Sequence, residues 1–94
     1  MIHRIDCMTR LEPDDAMSRI RDAIARIGGR IVDHKLVDGV AATFNIALKD
    51  ERFESFLDGL PEIAVYVERA VSPDRQIGRP IRCLLSVQIV PPLD

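Results

Sequence analysis

The sequence predicts an α+β sandwich in the order strand, helix, strand, strand, helix, strand, strand: a ferredoxin-like βαββαβ unit with an additional C-terminal strand. Three observations carry the prediction. Apolar and polar residues alternate with period two in several short segments, the mark of half-buried strands. Two other segments place apolar residues at helical spacing behind plausible start signals. Asp38-Gly39 joins an apolar stretch, Arg30 to Val37, to the cleanest alternation in the chain, as a hairpin turn does. Strand, helix, hairpin, helix, strand is the split βαβ order, whose crossovers give an antiparallel sheet with both helices on one face. A chain of 94 residues fits one such domain, spanning 1–94, and buries on the order of 60–70% of its unfolded surface.

In residues 2–11, Ile5, Cys7, Thr9 and Leu11 alternate with Arg4, Asp6, Met8 and Arg10. Glu12-Pro13-Asp14-Asp15 then opens a helix: Pro13 suits the first helical position, and the acids suit the positive end of the dipole. Ala16, Ile20, Ala23, Ile24 and Ile27 form its buried stripe, and Gly28-Gly29 ends it, because glycine accepts the left-handed conformation.

The hairpin follows. A two-residue loop pairing Val37 with Val40 would put Asp33 and Lys35 on the face of Phe44. A three-residue loop pairs Leu36 with Val40, His34 with Ala42 and Val32 with Phe44, so that one face is apolar throughout. That register is expected, with Gly39 at positive φ. Asp50 is placed to cap the second helix, in which Phe53, Phe56, Leu57 and Leu60 recur at helical spacing until Pro61 stops it. Ile63, Val65 and Val67 begin the fourth strand, and 72–80 reads as an irregular loop with Pro73, Gly78 and Pro80. Ile81, Cys83, Leu85, Val87 and Ile89 mark a long fifth strand, expected to join an edge of the sheet. The open face should carry Arg4, Asp6, Arg10, Asp33, Lys35, Thr43, Asn45, Tyr66 and Glu68.

Composition narrows function. Hydrophobic residues at 47% and charged residues at 30% are the balance of a folded chain. A net charge of -2 provides no field to hold polyanions, so neither nucleic acid nor a membrane surface is an expected partner. Met1-Ile2-His3-Arg4-Ile5-Asp6 has no secretory pattern, and no apolar run approaches membrane-spanning length, so the cytoplasm is expected. The 13 basic residues are all arginine but Lys35 and Lys49, which codon usage explains as readily as anion recognition does.

No constellation reaches a catalytic signature, and no enzymatic activity is expected. Cys7, His34 and Cys83 fall on the helix-facing side of the sheet, and two thiolates with an imidazole would suit zinc or copper. No close ligand pair accompanies them. They are read as two small core residues and an edge histidine, with no metal or cofactor. RNA-recognition modules stack bases on aromatic residues of the central strands, where this chain has Asp6, Thr43 and Asn45. Arg69, Arg75, Arg79 and Arg82 surround the long loop and form the one candidate contact for an anion or small ligand, against the reading of a solvated arginine-rich loop.

Two resemblances follow from these segments. The order of elements is similar to that of ACT-type regulatory domains, which implies a small-molecule sensor for amino acids or anions. Asp14-Asp15-Ala16, Ile27-Gly28-Gly29-Arg30-Ile31-Val32, the run from Leu48-Lys49-Asp50 through Phe53-Glu54-Ser55-Phe56 to Leu60, and Val71-Ser72 resemble an uncharacterised bacterial domain of membrane-anchored lipoproteins, linked by association to anti-sigma factors. The likeness covers about two-thirds of the chain. That family usually continues into a coiled region and a membrane helix, and neither stands in this sequence. The matching residues are mostly core and capping positions, so the likeness implies a fold and carries over no site residue. The expected function is a non-enzymatic interaction or regulatory module, with a protein partner or self-association, and an ACT-like sensor as the alternative.

Overall fold

The computed structural model describes residues 3–72 and 80–90, an α+β chain with one five-stranded mixed sheet and two helices. The strands are β1 (His3–Thr9), β2 (Arg30–Val37), β3 (Ala41–Lys49), β4 (Val65–Val71) and β5 (Pro80–Ile89). The helices are α1 (Pro13–Arg26) and α2 (Phe53–Gly59), and single 3-10 turns occupy Asp50–Arg52 and Pro61–Ile63. No helix among the described residues is long and apolar enough to cross a membrane.

α1 begins and ends as its sequence dictates. Pro13 opens it and Asp14 and Asp15 fill its first turn, where the dipole favours negative charge. At the other end Gly28 adopts φ 74°, its N–H donates to the Ala25 carbonyl at 3.0 Å, and the Gly29 N–H donates to the Ile24 carbonyl at 2.9 Å. This paired closure satisfies two carbonyls that the helix would otherwise leave open. α2 starts differently from expectation. Asp50 does not cap it. The residue is 2% exposed and begins the preceding 3-10 turn, and Arg52 precedes α2 with no side-chain cap bond. Ile63 likewise belongs to a 3-10 turn, and β4 starts two residues later.

The hairpin register is displaced by two residues from the expected one. Leu36 pairs with Ala42, His34 with Phe44 and Val37 with Ala41, while Val32 is the extra residue of a bulge. The cause lies in the turn. Asp38 and Gly39 both take positive φ, 49° and 68°, and the Val40 N–H donates to the Val37 carbonyl at 3.0 Å. Val40 is then left outside the β2 ladder, and its carbonyl accepts from the Ile89 N–H at 2.8 Å. A slip of two residues keeps His34 and Leu36 on the side of Phe44, whereas the bulge at Val32 turns Ile31, expected on the open face, onto the core side opposite Ile46.

The strand order is β2-β3-β5-β1-β4. β5 therefore does not join an edge: it lies at the centre, antiparallel to β3 and parallel to β1, and the sheet is mixed rather than purely antiparallel. Composition explains the placement. Within its ten residues β5 carries one charge, Arg82, and its second face holds Leu84 and Ser86, which suits a strand flanked on both sides. β2 carries Arg30, Asp33 and Lys35, and β4 carries Glu68 and Arg69, the charges expected of edges.

One core lies between sheet and helices. Ile5 and Cys7, Phe44 and Ile46, Cys83, Leu85 and Val87 point into it from the strands, and meet Ile20 and Ile24 of α1 and Phe53 and Phe56 of α2. Burying each of the larger side chains stabilises the fold by about 1.5–3 kcal/mol. Both helices thus cover the same face.

Candidate functional site

The helix layer reaches Ile31 at the start of β2 and stops short of the rest of the strand. His34 and Leu36 lie on the helix-facing side, opposite Phe44 and Ala42, which are 0% and 2% exposed. Yet Leu36 is 41% exposed, and of the eight residues of β2 only Ile31 is even partly buried. The His34 ring lies over the edge of the core, stacked on Phe44 with centroids 6.2 Å apart. Val32, Leu36, Val37 and Val40 are exposed large apolar side chains on this one hairpin; the other two among the described residues, Tyr66 and Val71, are on β4 at the opposite edge. Exposed apolar surface is therefore concentrated where backbone groups also lack a neighbouring strand.

The open face is polar and is ordered in cross-strand rows. One row runs Arg69, Asp6, Ser86, Thr43, Lys35, and the next runs Val71, Arg4, Leu84, Asn45, Asp33. Arg4 and Asp6 form an ion pair at 3.6 Å, exposed enough to contribute little to stability. A shallow depression of about 690 Å³ lies over Asp6, Thr43, Ser86 and Gln88, bordered by Glu68 at the β1–β4 bulge.

Of the four candidate arginines, the two within the described residues stand apart. Arg75 and Arg79 lie outside the described residues. Arg69 is opposite Asp6 on edge strand β4, whereas Arg82 is opposite Ala47 on β5. The two are separated by two strands laterally and four residues along the sheet, roughly 16 Å. Arg82 instead shares its cross-strand row with Arg30, on the far side of Ala47, a relation that no inspection of the loop could identify.

Cys7 and Cys83 are free, buried thiols in the core. Burial pushes both up to about 12, with the Asp6 carboxylate adding to the effect on Cys7, so neither provides a thiolate at neutral pH. His34 stands apart from both on the exposed edge. Among the described residues no three His, Cys, Asp or Glu side chains group closely enough to hold a metal ion. The buried histidine is His3, 2% exposed and edge-on to the Phe53 ring at 4.8 Å. Its phase with Ile5, Cys7 and Thr9 was the sequence signal for that position.

Protein-family models, curated proteins and solved structures were each compared with the chain, and none matches it.

Proposed function

We propose that this chain is a protein-interaction module, a ferredoxin-like frame with β5 inserted between β3 and β1, that takes up a partner's strand along β2. The observation that carries this reading is the exposure of β2 on both faces while β3, its neighbour, is buried on the helix side. A free strand edge provides main-chain hydrogen bonds, and the alternate apolar side chains flanking it provide contacts that select the partner. The exposed Val32, Leu36, Val37 and Val40 supply those contacts.

A photo-reactive amino acid at position 36 tests the reading. A polypeptide adduct is expected, and it should disappear when His34→Pro removes an N–H from the free edge of β2. No polypeptide adduct, together with a saturable thermal shift on adding amino acids or phosphorylated metabolites, would replace this reading with an ACT-like sensor, since binding to the native state raises stability by mass action.

A further inference from the structure

We infer that the partner strand is β2 of a second copy of the same chain, in an antiparallel pairing with a two-fold axis through His34. This rests on the reading of β2 as the interaction edge and identifies its occupant.

The direction of the backbone groups comes first. Val37 pairs with Ala41, and the turn closes through the Val40 N–H on the Val37 carbonyl. Hydrogen-bonded and non-hydrogen-bonded pairs alternate along an antiparallel ladder. Val37, Lys35 and Asp33 therefore direct their N–H and C=O groups at β3, and Leu36 and His34 direct theirs outward. Only registers that set outward-directed residues against each other can form a second ladder on this edge.

Charge then selects among those registers. An axis through Asp33 sets two carboxylates face to face, and an axis through Lys35 sets two ammonium groups face to face. An axis through Leu36 leaves Asp33 opposite the turn, with no cation across from it. The axis through His34 sets Asp33 of each copy against Lys35 of the other, and this happens twice by symmetry. Those two pairs are non-hydrogen-bonded ones, whose side chains approach most closely. Neither Asp33 nor Lys35 has an ion-pair partner within the described residues, and across β3 they face only the neutral Asn45 and Thr43.

The apolar residues agree with the same register. Val32 of each copy comes opposite Leu36 of the other, so two exposed residues of each chain are covered. On the helix-facing side, His34 and Leu36 of the second copy continue the layer that the helices leave unfinished beyond Phe44. The bulge at Val32 and the charges of Asp33 and Lys35 exclude strands lacking the complementary order, which keeps an open edge from promiscuous pairing.

Molar mass by light scattering, from micromolar to millimolar, tests the inference. The expected result is a species of twice 10.6 kDa that dissociates on dilution. Lys35→Asp should abolish it, and Asp33→Lys with Lys35→Asp should restore it, each variant being confirmed as folded by circular dichroism. His34→Cys provides a second readout: an antiparallel hydrogen-bonded pair brings two Cα atoms to about 5.5 Å, within reach of a disulfide. Oxidised His34→Cys should run as a covalent dimer, and Tyr66→Cys on the far edge should not. A wild-type monomer at every concentration overturns self-pairing, while a position-36 adduct to another polypeptide would still uphold the edge reading. A dimer indifferent to charge reversal, an unrescued double variant, or equal crosslinking at positions 34 and 66 overturns the register.

Discussion

The hydroxyl of Thr9 donates to the carbonyl of Ala64 at 2.7 Å and accepts from the Leu11 N–H at 3.2 Å. Thr9 is the last residue of β1 and is fully buried, and Ala64 is the residue from which β4 departs. One side chain thus joins the end of a central strand to the start of its edge neighbour. Thr9→Val keeps the shape and removes both bonds, leaving a carbonyl and an N–H without their partner. A loss of about 1–3 kcal/mol is expected, read as a lower urea midpoint with an unchanged slope.

Ala64 itself adopts φ 63°, and it closes the preceding 3-10 turn as a glycine would: its N–H donates to the Pro61 carbonyl and the Val65 N–H to that of Leu60. An L-residue in this conformation carries a penalty that glycine lacks, offset in part by the greater freedom of glycine when unfolded. Ala64→Gly is expected to stabilise the protein by about 0.5–1 kcal/mol, measured by the same titration. A destabilisation would show that the alanine methyl contributes more to packing than its backbone costs.

Gly39 lies at φ 68° in the hairpin turn, where an added Cβ would meet nothing nearer than Pro13 Cγ at 3.9 Å. Space is available, so the cost of Gly39→Val is conformational. It should destabilise by about 1–2 kcal/mol or more. Gly39→Asn should restore much of that, because Asn tolerates the left-handed region.

The two buried thiols give a pH dependence of defined sign. Burial raises each from 9.0 to about 12 in the folded chain, so the fold favours the neutral thiol. That contribution is fully present below about 9 and is lost as pH rises from there through about 12, since the unfolded chain releases its protons first. Urea midpoints should fall across this window, and less steeply in Cys7→Ala with Cys83→Ala. A thiol reagent at neutral pH should leave the folded protein unmodified and label both sites after denaturation.

Much of the fold was legible because alternation and helical spacing report which face a side chain occupies. Ile5, Cys7, Phe44, Ile46, Leu85 and Val87 are inward as their phase predicts, and Gly28 and Gly39 take the positive φ expected of them. Face alone does not specify neighbours. Between Asp33 and Val37 the hairpin slipped by two residues without changing a face, because the slip turned on Asp38 entering the left-handed region beside Gly39; only beyond the Val32 bulge did Ile31 change sides. The candidate site was harder still: Arg69 and Arg82 are near each other along the chain across the 73–79 segment, yet they belong to strands on opposite sides of β1.

The set of elements, the inward faces of β1, β3 and β5 and the residues that start and stop α1 are consequences of interactions within a few positions of the chain. The entry of β5 between β3 and β1 depends instead on pairings between residues far apart in the chain, where a strand with one charge loses least by being flanked on both sides. That choice sets the width of the sheet. With five strands and, among the described residues, only α1 and α2 to cover one face, the helices reach Phe44 and leave His34 and Leu36 of β2 exposed, and the edge on which the proposed function rests follows from that shortfall.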